Sequence, residues 1–270
     1  MTRSGMMWFW AALLGIALAA ALPDWVLAQA YVRGGILLDR AKDTRLQDKD
    51  CSSADRLFGC GNEDDGASQG SFGDFGTMTG WEIGLGYPVV PALRLELAVQ
   101  YRPEFSFEGE ANLDNDLLRT LSDSQDVSAE LSLWSGLVAT YLDIPLPGIA
   151  LLRFTPINPY LGAGAGLSRI EISDIRMDLP ATAESLIVPG DHQVSFSWML
   201  TVGVGVSLTK WTIDLAWRYT DHGDIETAAG IGRKVCRIAR CRLPELDLPV
   251  DPTIGSLQSQ GFTLSVRYAF

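Results

Sequence analysis

Beyond its N-terminal stretch the chain has no apolar run near the ~18 residues that a membrane-spanning helix needs. A bundle of transmembrane helices is therefore excluded for that part. Histidine is nearly absent, with two residues, His192 and His222, in 270. Basic residues are outnumbered, 21 Lys and Arg against 33 Asp and Glu, giving a formal net charge of −12. No Gly-x-Ser-x-Gly elbow, phosphate-cradling glycine loop or His-Glu-x-x-His is present. Nothing resembles a nucleic-acid module, so no nucleic-acid partner is expected, and neither is a cofactor. Only four cysteines occur. Their spacing is not that of paired Cys-x-x-Cys, and no histidine is near them, so no metal site is expected.

What the chain does have is strict alternation. In Gly261–Phe270, the residues Phe262, Leu264, Val266, Tyr268 and Phe270 share one face, and Thr263, Ser265 and Arg267 the other. Period two marks a strand with one apolar side. About ten residues is also the length of a tilted strand that crosses a bilayer. The same pattern predicts strands over 29–40, 77–87, 93–102, 127–142, 160–175, 194–208 and 212–220, about eight in all. Barrels escape a hydropathy scan because only every second residue faces lipid.

The N-terminus reads as an export signal. Arg3 precedes an apolar Met6–Leu22, and Val26-Leu-Ala28 offers small residues at a cleavage position. The expected division is a signal peptide over 1–28 and a barrel domain over 29–270. No cysteine lies near the cut, so no lipid anchor is expected.

Long polar segments, 41–75, 103–126, 176–192 and 223–259, alternate with shorter links, two of which are tight: Pro88–Pro91 and Leu208–Trp211. Residues 112–121 could form a short helix. Loops this long are unusual in a compact soluble domain, whereas outer-membrane barrels pair short periplasmic turns with long outer loops. The expected fold is all-β: an eight-stranded antiparallel up-and-down transmembrane β-barrel with long outer loops. Aromatic residues at strand ends, Tyr87, Tyr101, Tyr141, Trp211, Tyr268 and Phe270, would form interfacial girdles.

On this reading the polar faces point inward. The expected interior charges are Arg33, Glu82, Arg94, Glu96, Glu130, Asp214, Arg218 and Arg267. Tight hairpins would set Gly86 opposite Arg94, Gly84 opposite Glu96, Gly205 opposite Asp214 and Thr201 opposite Arg218. Small residues opposite long ionic ones suit a narrow barrel, whose interior is just wide enough for side chains. The interior is expected to be an ionic plug; a selectivity lining for a narrow pore is the alternative.

The sequence resembles a known group in several stretches. Ala139-Thr-Tyr-Leu-Asp143, a proline-rich gap and Asn158-Pro-Tyr-Leu-Gly-Ala-Gly-Ala-Gly166 are similar to paired strands of opacity-protein-like, porin-family barrels, eight-stranded outer-membrane proteins related in fold to the OmpA-class transmembrane domain. Asp214–Asp221 resembles their seventh strand and Arg267–Phe270 their last. The resemblance implies the outer membrane of a Gram-negative bacterium. It also implies that Tyr268 and Phe270 carry an assembly signal read by the barrel-assembly machinery.

Further readings concern the outer segments. In an exported chain Cys51 and Cys60, and Cys236 and Cys241, are expected to form local disulfides, with a cross-link between the loops as the alternative. The basic run Arg233–Arg242 could meet lipopolysaccharide, although charge pairing with the acidic loops is the simpler reading. Expected partners are outer-membrane lipid, lipopolysaccharide, the assembly machinery and a host or surface ligand at the outer loops. An enzyme is not expected. The arrangement that would argue otherwise is Ser197 with His222 and Asp221 or Asp224, as nucleophile, base and orienter of a lipid-modifying site. The expected role is structural or surface-interactive, with a narrow channel as the first alternative.

Overall fold

A computed structural model describes residues 30–50, 70–112, 125–144, 157–179, 184–236 and 245–270. Fourteen strands and no helix occur among these residues. Many are two pieces of one arm. β1 (Tyr31–Ala41) continues past Lys42-Asp43 as β2 (Thr44–Asp48), and β3 (Gly70–Asp74) runs down into β4 (Thr77–Val90). β5 (Leu93–Asn112) and β6 (Gln125–Asp143) are long and undivided. β7 (Ile157–Ile172) continues as β8 (Ile175–Leu179), and β9 (Glu184–Val188) leads into β10 (Asp191–Leu208). β11 (Trp211–Glu226) continues as β12 (Gly230–Cys236), and β13 (Glu245–Val250) leads into β14 (Thr253–Ala269).

The lower pieces close a ring in the order β1-β4-β5-β6-β7-β10-β11-β14 and back to β1, every pairing antiparallel. Closure satisfies the backbone groups of every wall strand and leaves no open edge, as a structure in lipid requires. The upper pieces carry the wall on: β2 with β3, β3 with β5, β6 with β8, β8 with β9, and β9 with β12. Much of 41–75, 103–126, 176–192 and 223–259 is therefore wall, not loop. Residues 113–124, most of the anticipated helix, lie outside the described residues.

The two storeys have opposite polarity. Below, apolar side chains face out: Ile36, Ile83, Leu97, Leu167, Leu200, Leu215 and Leu264 are all exposed. Above, they face in. Phe75, Phe105, Phe107, Leu131, Ile172, Ile175, Met177, Val188, Ile225 and Leu257 pack into one buried core. Glu108, Glu110, Asp126 and Glu130 point outward from the same level. The lower storey thus suits lipid and the upper one water.

Bulges make the switch in particular arms. In β5, even residues Arg94–Arg102 point inward, the pairing with β6 slips between Arg102 and Phe105, and odd residues Phe105 and Phe107 then point inward. β11 slips against β14 between Asp221 and Asp224, so inward His222 is followed by inward Ile225. One extra residue reverses which side chains face in. β6 has no such slip against β5 above Leu133, and its odd residues, Val127 through Tyr141, point inward throughout.

That geometry corrects three expectations. Glu130 lies on the outer surface of the upper storey, not in the interior, because its neighbours Leu131 and Leu133 supply the upper core. Tyr141 faces the lumen, fully buried, rather than a girdle. The first turn lies later than expected, at Pro91-Ala92, and together with a bulge between Pro88 and Val90 it sets the register two residues from the expected one, so Gly86 pairs with Glu96 and Gly84 with Ala98. The second hairpin pairs Gly205 with Asp214 and Thr201 with Arg218. Its turn needs Thr209 at φ 57°, the left-handed region that tight hairpins use.

Aromatic clusters bound the apolar belt. Tyr101 stacks on Trp134 at 4.1 Å between centroids, with Trp81 edge-on to both, and Trp198 meets Tyr219 at 5.3 Å. At the lower end Trp211 lies against Tyr268, and Tyr268 against Phe270. From Trp211 to Tyr219 the strand rises about 26 Å at ~3.3 Å per residue. Tilt reduces this to about 20 Å, close to the apolar band of outer-membrane barrels.

Candidate functional site

The candidate site is the charged lumen of the lower storey. Period two places Arg33 on β1, Glu82 on β4, Arg94 and Glu96 on β5, Asp214 and Arg218 on β11 and Arg267 on β14 inside one ring. At its base, Arg94 donates to both oxygens of Asp143 at 2.7 and 2.8 Å. Arg267 donates to both oxygens of Asp214 at 2.5 and 2.8 Å. Both pairs are bidentate, the geometry that planar guanidinium favours. The Tyr31 hydroxyl donates to Glu96 at 2.9 Å and accepts from Arg94 at 3.2 Å. Arg94 also lies over the Tyr141 and Tyr160 rings.

One layer up, Arg33 bridges Glu96 at 2.7 Å and Glu82 at 3.1 Å, and donates to the Tyr141 hydroxyl. Arg218 donates to Glu82 at 2.8 Å and to Thr201 at 3.2 Å. Above these, Arg102 pairs with Asp39 and donates to Gln100 at 3.2 Å. Among the described residues the lumen charges balance. The cations are Arg33, Arg94, Arg102, Arg218 and Arg267; the anions are Asp39, Glu82, Glu96, Asp143 and Asp214, five of each, every one paired. Buried charges persist only when paired in this way.

Glycines make the room. A Cβ on Gly205 would lie 2.6 Å from Asp214 Oδ1 and 3.1 Å from Arg267 Nη2, and one on Gly84 2.8 Å from Glu96 Oε1. Asp39, Arg102 and Asp143 are members that the sequence reading left out. Asp39 and Arg102 continue the inward parity of Arg33 and Arg94, so alternation alone could have included them.

A neutral layer caps the ions. Ser135 and Ser168 share a hydrogen bond of 2.7 Å, and Ser197 donates to Ser168 at 2.5 Å. His222 Nε2 lies 3.1 Å from the Ser259 hydroxyl. The apolar core of the upper storey sits above. Ser197 and His222 come together, but not as nucleophile and base. The Ser197 hydroxyl reaches the main-chain oxygen of His222 at 3.2 Å, while the imidazole turns to Ser259. Both side chains are fully buried, out of reach of a lipid substrate. Asp221 points away, accepting from Gly223 N and Gln258, and Asp224 is exposed. His192 is exposed beside Asp191.

No group of three or more His, Cys, Asp or Glu side chains that could hold a metal occurs among the described residues. Cys51, Cys60 and Cys241 lie outside the described residues, as does the Cys236 side chain, and so does most of the basic run beyond Cys236. Tyr268 sits in the lower aromatic cluster. Phe270 is half-exposed below it, its amide donating to Ala30 O at 3.2 Å.

Comparison with known proteins agrees with this architecture. The family described as "Outer membrane protein beta-barrel domain" matches residues 9–270. Uncharacterised proteins of Brucella suis and Brucella melitensis are each 26% identical over 161 residues, 55% of this chain and 54% of theirs. The chain thus spans about half the length of the curated relatives it matches. Among solved structures, OprG of Pseudomonas aeruginosa is similar at TM-score 0.42 and 16% identity, covering 87% of this chain and 94% of its own. Neisserial surface protein A is similar at TM-score 0.38 and 14% identity, covering 90% and 97%. The chain belongs to the outer membrane protein β-barrel domain family and is an eight-stranded barrel of the Gram-negative outer membrane.

Proposed function

We propose that the protein is a closed barrel with a structural and surface-interaction role in the envelope, not a channel and not an enzyme. One observation carries this reading: the five-by-five ionic lumen is neutralised internally and lies beneath a packed apolar core. A pore lining needs charges that face water and exchange partners with passing ions. Here the guanidinium groups are held by fixed carboxylates, and Leu131, Phe107 and Met177 fill the exit above them. The buried Ser197 and His222 likewise argue against surface chemistry on lipid. What the barrel offers to its surroundings is an upper storey, polar outside and rigid inside. Such a wall can serve as a display surface toward the medium.

Liposome swelling tests the closed state. Vesicles carrying the purified protein should swell in small sugars no faster than empty vesicles. Swelling that depends on solute size would replace this reading with the channel.

A further inference from the structure

We propose that Arg40 and Lys42 form a docking site for the phosphorylated headgroup of an outer-leaflet glycolipid. The proposal goes beyond the envelope role and does not depend on whether the barrel conducts. It begins with a contrast among exposed cations. Arg169 pairs with Glu171 at 2.7 Å, Arg176 with Asp178 at 3.1 Å and Lys49 with Glu226 at 2.6 Å. Arg40 and Lys42 are both exposed and make no ion pair among the described residues. Lys210, over the Tyr268 ring at the foot of the barrel, is likewise without an ion pair among the described residues but stands alone, whereas Arg40 and Lys42 are two such cations at one level of the wall. Of the nearby acids, Asp221 is taken by Gly223 N and Gln258, and Asp43 is exposed without an ion pair to either cation.

Their height on the wall fixes the occupant. Register sets Arg40 opposite Gln260, and Gln260 opposite Tyr219, all in one outward row. Lys42 Nζ lies 4.8 Å from the centroid of the Tyr219 ring, the girdle residue that marks the upper boundary of the apolar belt. Two residues lower, about 6–7 Å down the strand, the outward row is Leu38, Phe262 and Trp217, all exposed. The surface therefore has a basic row directly above an apolar one. A lipid fits that order, with phosphate at the cations and acyl chains along Leu38 and Phe262. Lys and Arg stems also snorkel naturally at this level. Gln260 adds a neutral donor beside Arg40.

Native mass spectrometry of the purified full chain in detergent provides the test. The protein is titrated with bis-phosphorylated lipid A and, separately, with lipid A stripped of phosphate. Wild type should prefer the phosphorylated form. Each juxtamembrane cation contributes about fivefold, so Arg40→Gln with Lys42→Gln should weaken that binding roughly 25-fold. Binding of the stripped lipid should not change. Arg40→Lys should keep the preference, and Arg176→Gln, which removes an already paired cation, should leave it intact. Should the double variant lose its heat-modifiable migration, the salt dependence of wild-type binding decides: the phosphorylated lipid must loosen as salt rises. Equal binding of both lipids by wild type overturns the proposal. So does a folded double variant that keeps the preference, or displacement of bound lipid by equimolar inorganic phosphate.

Discussion

Glu82 holds the centre of the lumen, and replacing it with glutamine should strongly destabilise the barrel. Its carboxylate accepts from Arg218 at 2.8 Å and Arg33 at 3.1 Å, with Gln100 at 3.4 Å, and it is buried to 1% exposure. Glutamine keeps the shape but removes the charge. Arg33 then retains Glu96, whereas Arg218 retains only the Thr201 hydroxyl. Leaving a buried cation without its partner costs about 3–5 kcal/mol. Exposed Lys49–Glu226 provides the scale, since an equivalent change there should cost under ~1 kcal/mol. Unfolding by denaturant in lipid vesicles, followed by heat-modifiable migration, reads the difference. Adding Arg218→Gln to Glu82→Gln should recover part of the loss, because no unpaired charge remains at that pair. The reasoning fails if Glu82→Gln stays within 1 kcal/mol of wild type, or if the double variant is worse than the two single changes added together.

Three further outcomes follow from the same geometry. Gly203→Val should impair barrel formation by about 1–3 kcal/mol, because its Cβ would lie 2.6 Å from Tyr160 Cζ and 2.8 Å from Ala216 Cβ; a lost heat-modifiable band is the readout. Phe107→Ala should cost about 3–5 kcal/mol locally, since Phe107 is buried against Phe75 in the upper core; protease should then cut the upper storey on whole cells while the lower ring stays protected. Removal of Phe270, which packs on Tyr268 at the foot of the barrel, should lower the fraction of protein inserted into the outer membrane; unchanged insertion would end its role as an assembly signal.

The lower ring was legible because most wall strands follow one rule in lipid, apolar out and small or ionic in, with Leu137, Tyr141, Tyr160 and Met199 as inward exceptions. Arg33, Glu82, Arg94, Glu96, Asp214, Arg218 and Arg267 all follow that parity, and the structure places them together in the lumen. Glu130 broke the reading because β6 keeps its odd residues inward along its whole length. Above the lipid, Leu131 and Leu133 join the buried core and even-numbered Glu130 faces water. Alternation shows which residues share a face but not which face is wet, so a strand that changes solvent midway looks uniform. The bulges at Arg102–Phe105 and Asp221–Asp224 hide the change further, since each shifts parity by one residue without a distinctive motif. The upper strands read as loops for a related reason. Their outward side chains are Glu, Asp and Ser, the composition of a solvated loop, while inward residues such as Phe105, Phe107 and Val127 are too sparse to stand out. The balance of five cations and five anions was accessible only in part, because Asp143 sits at the end of a strand whose phase was reversed.

Conductance of the purified wild-type protein in planar bilayers tests the central claim most directly. A lumen neutralised pair by pair and capped by an apolar core should show no steady current at either sign of voltage. A stable single-channel conductance would contradict it, by showing that ions pass where Arg33, Glu82 and Arg218 are held closed.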